Sequence, residues 1–316
     1  MSRNESAGSM TAAGREERAW QRIAHFALLV ESALTQALSE EDDAPLDLPG
    51  AARLVESMRY SLRMPGKRLR PLLLLASADT VGPDADRFVR FAAGLEMIHA
   101  YSLIHDDLPA MDDDTLRRGQ PTNHIVFGDG IAILAGDGLL TEAFVAMLEP
   151  VVDARLQSSV VSEVARAAGR EGMVGGQAAD LLAEGLPPDE GSLRSIHSRK
   201  TGALILAAVR AGARLGGASE EDLEALGRFA LAFGLAFQIA DDIKDEVAPP
   251  ELTGKQPRGD AEAGKMTYPS LYGIDGARAR CREELERAIS ALSVLGDRAA
   301  ALERLARDSV APAFGF

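Results

Sequence analysis

The chain has 316 residues, and its 34 Lys and Arg against 48 Asp and Glu give a formal charge of −14 at pH 7. This charge argues against nucleic acid as a partner and against binding to anionic membranes. The chain is 46% hydrophobic but only 5% aromatic, which favours an all-α globular protein over a β-sandwich, a barrel or a disordered chain. Its single cysteine, Cys281, excludes an internal disulfide and a Cys-rich zinc site.

The chain begins with a polar stretch and is then expected to continue as a single domain. Residues 1–18 lack the apolar core of a targeting signal and predict a disordered tail, which leaves residues 19–316 as the domain. The longest nearly unbroken apolar run, residues 229–240, is shorter than the ~20 residues of a membrane span. The sequence therefore predicts a cytoplasmic protein with no stable membrane insertion.

Apolar residues at helical spacing, separated by Gly, Pro and Asp, predict a series of helices. In chain order these cover residues 18–40, 50–63, 68–81, 85–107, 130–148, 153–169, 192–215, 219–243 and 275–295. Residues 248–265 contain three prolines and three glycines and predict a long loop instead. A loop of this length inside one domain is usually functional or mobile.

Two of the predicted helices end in adjacent aspartates. The sequence YSLIHDD occupies residues 101–107 and AFQIADD occupies residues 236–242, and a further aspartate follows each. In the second cluster, Asp241 and Asp245 stack on one helix face about 5–6 Å apart, with Gln238 on the same stripe. A hard cation such as Mg²⁺, which takes one or two carboxylates plus water or substrate phosphates, removes their repulsion. A solvated acidic helix end is the alternative for one such motif.

The first cluster needs a break in the helix before its carboxylates can meet. Asp106 and Asp112 are about 240° apart around a straight helix, and Pro109 between them is expected to interrupt it. His99 and Ser102 share a helix face with Asp106, although burial in the core also explains a histidine there. Burying both clusters without countercharge is prohibitive, so together they predict bound cations or basic partners.

Basic residues occur in groups that could supply this countercharge or bind an anion. Residues 66–71 (GKRLRP) place three cations where a helix begins, and free backbone N–H groups there add to anion affinity. The other groups are Arg117 with Arg118, Lys200 beside Thr201, and Lys255 and Lys265 in the long loop. Beside the aspartates they predict a polyphosphate bridged by metal ions, with surface ion pairs as the alternative for each group alone. The sequence has no P-loop, dinucleotide-binding, HExxH or GxSxG motif, which disfavours nucleotide and triad chemistry.

These motifs resemble those of the short-chain trans-isoprenyl diphosphate synthases of the polyprenyl synthetase family. Residues 103–119 (LIHDDLPAMDDDTLRRG) resemble the first aspartate-rich motif of that family, and residues 237–245 (FQIADDIKD) resemble the second. Further blocks that match in the expected order are residues 66–71, Gly175-Gly176-Gln177, Lys200-Thr201 and residues 264–269 (GKMTYP). The resemblance covers roughly residues 20–295.

The resemblance implies an all-α, single-domain helical bundle of the isoprenoid synthase type around a deep central cavity, usually as a homodimer. It implies head-to-tail condensation of isopentenyl diphosphate with an allylic diphosphate such as dimethylallyl or geranyl diphosphate. By the same resemblance the metal ligands, for three Mg²⁺ ions or Mn²⁺ in their place, are Asp106, Asp107, Asp112, Asp241, Asp242 and Asp245. The catalytic residues that it implies are Asp106, Asp107, Asp112, Lys200, Thr201, Gln238 and Asp241.

The resemblance also distributes the basic residues between two substrates. The allylic diphosphate would be bound by Arg117, Lys200 and Lys255. Isopentenyl diphosphate would be bound by Gly66, Lys67, Arg70, His99 and Arg118. Thr201 and Gln238 would present oxygen dipoles to the carbocation that forms when the allylic diphosphate leaves.

The length of the product is expected to depend on Tyr101 and Ser102. They precede Asp106 by five and four residues, about one turn deeper along the helix, where a bulky ring should block a growing chain. These residues, with Ala100 and the inserted Pro109-Ala110, resemble bacterial members that stop at C15, farnesyl diphosphate. A C20 or C10 product is the alternative, and Tyr101 is also explained as plain core.

Two other functions share part of this pattern. A class I terpene cyclase also ionises allylic diphosphates with Mg²⁺, but cyclases usually lack a second cluster of this kind and a loop like residues 66–71. A non-catalytic subunit of a heteromeric prenyl synthase is disfavoured because such subunits typically lose aspartates from one cluster, whereas both are intact here.

Overall fold

The structure is a computed structural model that describes residues 11–38, 50–149, 152–187, 189–247 and 265–315. Almost every described element is helical, which confirms the predicted all-α fold. The helices are α1 (Ala12–Gln36), α2 (Ala51–Arg63), α3 (Leu69–Val81), α4 (Val89–Asp106), α5 (Asn123–Phe127), α6 (Asp129–Leu148), α7 (Ala154–Ala168), α8 (Met173–Ala183), α9 (Glu190–His197), α10 (Ala203–Gly216), α11 (Glu220–Val247), α12 (Tyr268–Ala291) and α13 (Ala300–Val310).

Shorter elements connect these helices. Three are 3₁₀ turns, Ala85–Phe88, Ser293–Ala299 and Ala311–Phe314, and one is a π-helical turn, Ser198–Gly202. A two-stranded antiparallel hairpin joins β1 (Leu116–Arg117) to β2 (Gln120–Pro121), with Arg117 opposite Gln120. The hairpin directly follows the first aspartate cluster, so it sets the direction in which Arg117 and Arg118 point.

The first helix begins earlier than the sequence predicts. The side chain of Thr11 accepts a hydrogen bond from the backbone N–H of Gly14, at 3.2 Å, and so caps α1. Residues 12–18, assigned to the tail from their polarity, are therefore helical, and the polar residues face solvent while Ala19 starts the buried side. Residues 1–10 lie outside the described part of the chain.

The core is built around α3, which is buried on nearly all sides. Leu73, Leu74 and Leu75 in this helix are fully buried. Helix α10 packs against α3 so closely that a Cβ on Gly212 would lie 2.0 Å from the carbonyl oxygen of Leu74. Helix α11 packs on α10 and α12, and Phe229 in α11 is fully buried. Helix α4 packs on α3 and α6, so the helices that carry the two aspartate clusters, α4 and α11, are both held by the core.

Three helices, the five-residue α5, α8 and α13, were not predicted from the sequence. Helix α8 contains Gly175 and Gly176, which lower helix propensity, and α13 lies in the part of the chain beyond the last predicted helix. The glycines of α8 are explained by packing, because a Cβ on Gly176 would lie 2.2 Å from the backbone nitrogen of Lys200. The long loop predicted over residues 248–265 lies outside the described residues except for Lys265.

Two described helices, α6 and α11, are long and apolar enough to cross a membrane by length and composition. The apolar run considered above, residues 229–240, lies in α11, so the apolar length of α6 was not recognised from the sequence. Of the most apolar window in each helix, 56% is buried inside the protein for α11 and 39% for α6. Helix α11 is a core helix that carries Asp241, and α6 packs along α4 with its opposite side exposed.

Candidate active site

Both aspartate clusters and most of the basic groups line a single cavity of about 1060 Å³. Helices α3, α4, α8 and α11 contribute to its wall, together with the π-helical turn and the segment that precedes α12. The predicted site residues that line it are Gly66, Lys67, Arg70, His99, Tyr101, Ser102, Asp106, Asp112, Arg117, Arg118, Lys200, Thr201, Gln238, Asp241, Asp242 and Asp245. Asp107 is not among the lining residues, and Lys255 lies outside the described residues.

The first cluster converges because α4 stops at Asp106. The chain then turns back, and the backbone N–H of Asp112 donates to the carbonyl oxygen of Asp106 at 2.8 Å. The break comes three residues before Pro109, as expected from a residue that cannot continue a helix. Asp106 and Asp112 are therefore neighbours at the cavity wall rather than on opposite sides of a helix.

Asp107 points away from this cavity and binds Arg117. The carboxylate accepts hydrogen bonds from Nε of Arg117 at 2.8 and 2.9 Å and from Nη2 at 2.5 Å. Both side chains are largely buried, with 4% and 13% of their surface exposed. This placement argues against the predicted role of Asp107 as a metal ligand, because successive residues at a helix end point in different directions and the Arg117 guanidinium already occupies its carboxylate.

In the second cluster, Asp241 and Asp245 lie on α11 and line the cavity, as the spacing of four residues predicts. Asp242 is different. Its carboxylate accepts a hydrogen bond from Nε2 of Gln238 at 3.2 Å and one from the backbone N–H of Tyr268 at 3.0 Å. Asp242 is 5% exposed. It therefore ties α11 to the beginning of α12, a role that competes with the predicted metal binding.

The other four aspartates, Asp106, Asp112, Asp241 and Asp245, are suited to Mg²⁺ ions that also bind a substrate. Among the described residues, no three His, Cys, Asp or Glu side chains form a group that could hold an ion. Burial raises the pKa of Asp106 to about 6, and Asp112 adds to this while Lys200 opposes it. Excess negative charge beside an open cavity suits Mg²⁺, which is commonly bound by one or two carboxylates plus substrate phosphates. The fit thus requires a phosphate-bearing substrate.

Lys200 and Thr201 project from the π-helical turn Ser198–Gly202. Such turns are rare and often occur at functional sites. The close approach of Gly176 described above allows α8 to pack against this turn. Nζ of Lys200 pairs with Asp180 of α8 at 2.5 Å, and Oγ1 of Thr201 donates to Oε1 of Gln238 at 2.6 Å. The turn therefore presents a positive charge and the hydroxyl of Thr201 to the cavity, and Gln238 of α11 adds an amide oxygen beside them.

The second basic group surrounds His99. Arg70 is buried, yet its Nε has no hydrogen-bond partner among the described residues. Arg118 donates to the carbonyl oxygen of Pro65, and a Cβ on Gly66 would lie 2.3 Å from its Nη1, so a larger residue there would displace the guanidinium. Burial lowers the pKa of His99 well below its ordinary value, and Arg70 and Arg118 lower it further. A neutral imidazole and several cations therefore face one part of the cavity.

Tyr101 and Ser102 contribute to the cavity wall from α4. Tyr101 is 6% exposed, and its ring packs edge-on against His105, with the ring centroids 5.8 Å apart. Burial raises the pKa of Tyr101 to about 12. Ser102 donates to the carbonyl oxygen of His99 at 2.9 Å. Tyr101 is thus a neutral, tightly packed ring where a growing apolar chain would meet the wall.

Two ion pairs of the site were not predicted from the sequence, which named Lys265 only as one of the basic residues and gave Asp180 no role. Nζ of Lys265 lies 3.1 Å from Oδ1 of Asp112, so a residue just before α12 reaches the first aspartate cluster. Asp180, the partner of Lys200, follows Gly175-Gly176-Gln177 in α8. The family blocks around both residues were recognised, but the pairs join positions far apart in the chain and follow no local spacing.

Comparisons with known proteins agree with this fold. The chain matches the polyprenyl synthetase family over residues 51–302. It is 48% identical over 258 residues to the farnesyl diphosphate synthase of Bacillus subtilis (strain 168), covering 80% of this chain and 86% of that protein. It is 48% identical over 225 residues to a geranylgeranyl diphosphate synthase of Cyanophora paradoxa, covering 70% and 75%. The apo crystal structure of an FPP/GFPP synthase from Zymomonas mobilis matches with a TM-score of 0.81 at 36% identity, covering 93% and 99%.

The fold is an all-α bundle around one large cavity, and it matches the solved structure of an FPP/GFPP synthase. These two findings place the protein in the isoprenyl synthase class. Within this class, the chain belongs to the polyprenyl synthetase family. The resemblance read from the two aspartate-rich motifs is thereby confirmed.

Proposed function

We propose that the protein is a Mg²⁺-dependent prenyltransferase that condenses isopentenyl diphosphate head to tail with dimethylallyl and geranyl diphosphate and releases farnesyl diphosphate. The observation that carries this proposal is the sharing of one cavity by two aspartate clusters and two separate basic groups. Two diphosphates bring several negative charges that need both cations and metal ions. The identity to farnesyl diphosphate synthases supports the same reaction.

The allylic diphosphate is assigned to the side of the cavity where the aspartate clusters lie. Mg²⁺ would be held there by Asp106, Asp112, Asp241 and Asp245, leaving out Asp107 and Asp242, whose carboxylates serve the contacts described above. Lys200 and Arg117 supply fixed positive charge beside these aspartates. The roles of Lys255 and of Mn²⁺ as a substitute metal, and the number of three ions, stay predictions from the family resemblance.

Isopentenyl diphosphate is assigned to the second basic group. Lys67, Arg70 and Arg118 supply charge, Gly66 makes room for the Arg118 guanidinium, and the neutral imidazole of His99 can donate one hydrogen bond. The Nε of Arg70, which has no partner among the described residues, is a donor ready for a phosphate oxygen.

The chemistry requires stabilisation of a leaving group and exclusion of water. The allylic C–O bond breaks with both electrons going to the diphosphate, and Lys200 stabilises the negative charge that develops. Mg²⁺, if held by Asp106, Asp112, Asp241 and Asp245, would supply further positive charge to the same leaving group. The double bond of isopentenyl diphosphate then attacks the allylic carbon, and the released diphosphate accepts the proton lost next. Thr201 and Gln238 direct oxygen dipoles toward the cationic carbon, while apolar side chains such as Phe237 keep water away.

A C15 product is supported by the ring of Tyr101 in the cavity wall. The second candidate is a C20 product, favoured by the identity to the geranylgeranyl diphosphate synthase of Cyanophora paradoxa. Both candidates share the site residues and differ only where the growing chain meets the wall. A C10 product would require an obstruction closer to Asp106 than Tyr101.

A homodimer is supported by the exposed side of α6. Leu134, Val145 and Leu148 in this helix expose 52%, 57% and 55% of their surface. They share one helix face, since eleven residues span about three turns. An apolar face of this kind next to the exposed Ile125 is typical of an interface, and we assign it to a second copy of the chain. Cytoplasmic location and the absence of nucleic acid and membrane partners remain predictions.

The proposed function is tested by product analysis. Purified protein with Mg²⁺ and labelled isopentenyl diphosphate is incubated separately with C5, C10 and C15 allylic diphosphates, and the products are dephosphorylated and sized. A C15 product from the C5 and C10 starters, with the C15 starter left unextended, is expected. Extension of the C15 starter would support the C20 candidate, and no product from any starter would favour a non-catalytic subunit.

A further inference from the structure

Arg68 lies in the middle of the basic loop between Lys67 and Arg70, but its side chain turns inward. Its guanidinium is 6% exposed, and all three of its nitrogens donate hydrogen bonds within the protein. Nη2 donates to the carbonyl oxygens of Leu62 at 2.8 Å and Met64 at 3.0 Å. These carbonyls belong to the last turn of α2 and the residue after it, so Arg68 fixes where the chain leaves α2.

Two carboxylates from other helices complete this network. Nε of Arg68 donates to Oε1 of Glu31 in α1 at 2.7 Å, and Nη1 donates to Oε1 of Glu96 in α4 at 3.0 Å. Glu96 is 4% exposed, whereas Glu31 is 52% exposed. The negative charge of Glu96 also acts on Arg70 and Arg118. Arg68 therefore joins α1, α2 and α4 at the point where α3 begins.

The backbone of Arg68 is in a left-handed conformation, with φ of 47°. This conformation is unfavourable for a residue with a Cβ, so the contacts of its side chain must hold it. Lys67 and Arg70 lie one residue before and two residues after this point. A change in the backbone at Arg68 would redirect both side chains within the cavity.

We propose that Arg68, held by Glu31 and Glu96, is a positioning residue that sets the geometry of Lys67 and Arg70 for isopentenyl diphosphate. The proposal rests on the proposed function, which assigns that substrate to this side of the cavity. It adds to that function a role for Arg68, whose guanidinium makes its hydrogen bonds within the protein. The allylic diphosphate, bound near Asp106 and Asp241, is affected far less.

Arg68→Lys keeps the charge but cannot reproduce the forked hydrogen bonds to Glu31, Glu96 and the carbonyl oxygens. Its KM for isopentenyl diphosphate is expected to rise about tenfold, as for a lost charged hydrogen bond, while the KM for geranyl diphosphate changes by less than about twofold. Glu31→Gln weakens only one arm of the network, so a rise of roughly threefold for the same substrate is expected. The double variant should be no worse than Arg68→Lys alone.

Glu31 separates positioning from direct binding, because it does not line the cavity. A raised KM for Arg68→Lys with an unchanged KM for Glu31→Gln would mean that Arg68 binds the substrate itself. Equal rises for both substrates, or no rise, would also overturn the proposal. If Arg68→Lys does not fold, the half-exposed Glu31→Gln variant decides the question by the same measurement.

The matched control is Arg22→Lys. Arg22 in α1 makes a forked ion pair with Asp79 in α3, at 3.1 and 2.6 Å, and neither residue lines the cavity. Both KM values should stay at the wild-type level in this variant, even if its melting temperature falls. Wild-type protein that forms no condensation product would overturn the proposed function and this inference together. If the wild-type protein is active but the variants do not raise the KM for isopentenyl diphosphate more than the KM for geranyl diphosphate, only the inference is overturned.

Discussion

Asp106 and Asp107 are adjacent in the chain but lie in opposite environments. The carboxylate of Asp107 is held by Nη2 of Arg117 at 2.5 Å and by Nε at 2.8 and 2.9 Å. Asp106 faces the cavity beside Asp112, and burial raises its pKa to about 6. One carboxylate is satisfied within the protein, and the other carries unfavourable charge that a bound cation would relieve.

The two aspartates are therefore expected to respond differently to substitution. Asp106→Asn should lower kcat by roughly a hundredfold or more, because it removes a ligand for the metal at the leaving group, while the free energy of unfolding stays the same or rises. Asp107→Asn should lower the free energy of unfolding by about 3 kcal/mol, because it removes the nearest carboxylate of the largely buried Arg117, whose next carboxylate, Asp114, lies 3.7 Å away. Steady-state kinetics and thermal unfolding measure both effects.

Asp241→Asn is the companion of Asp106→Asn on the opposite aspartate cluster. It should abolish turnover to a similar degree without loss of stability, because Asp241 is exposed to the cavity. Wild-type rates in either variant would contradict the assignment of the metal site. A well-folded Asp107→Asn with normal stability would contradict the structural role given to Asp107.

The raised pKa of Asp106 predicts how stability depends on pH without metal. Its pKa in the folded protein, about 6, lies above the ordinary value, so the folded state binds the proton more tightly than the unfolded state. Its contribution to the free energy of unfolding is present at low pH and is lost as the pH rises through about 6. The melting temperature of the metal-free protein should therefore fall as the pH rises from about 4 to about 6 in wild type, and should fall less in Asp106→Asn.

Mg²⁺ binding should show the reverse dependence on pH. Protons and Mg²⁺ compete for Asp106, so the Mg²⁺ concentration for half-maximal activity should rise up to about tenfold per unit as the pH falls below about 6. Activity is measured at saturating substrates over a series of Mg²⁺ concentrations and pH values. A half-maximal Mg²⁺ concentration that does not change between pH 7 and 5 would remove Asp106 from the metal site.

Tyr101 is expected to limit the length of the product. Tyr101→Ala removes the ring from the cavity wall and should shift the product from C15 toward C20, because the chain can extend past the former position of the ring. Tyr101→Phe keeps the ring and should still stop at C15, which makes it the matched control. The products are dephosphorylated and sized by mass spectrometry. An unchanged distribution in Tyr101→Ala would show that the ring is only part of the core.

Local spacing was enough to find most of the site. The four-residue step from Asp241 to Asp245 places both on one side of α11, and Pro109 predicts the break that brings Asp112 to Asp106. The fold class followed from the Ala- and Leu-rich composition and the spacing of apolar residues. These features depend on neighbours within a few residues, which a sequence shows directly.

Contacts between residues that are far apart in the chain could not be predicted from local spacing. Lys265 reaches Asp112 across 153 residues, and the backbone N–H of Tyr268 binds Asp242 across 26. The sequence gives the charges but not which partners the packing of α4, α11 and α12 brings together. For the same reason the sequence could not show that Asp107 would form an ion pair with Arg117.

The exposed side of α6 gives a test of the homodimer. Leu134→Glu and Val145→Glu each place a charge on this face, and twofold symmetry would bring two copies of that charge into one apolar interface. The variants should be mostly monomeric at micromolar concentration, because an unpaired charge buried in an interface is costly. Size-exclusion chromatography with light scattering measures the mass of each species.

The matched control for the interface is Leu182→Glu. Leu182 in α8 is 82% exposed and lies apart from α6 in the chain, so this variant should keep the mass of the wild-type protein. Turnover of the α6 variants then shows whether one chain is sufficient for activity. A wild-type monomer, or dimers that persist in both α6 variants, would mean that this face does not bind a second copy.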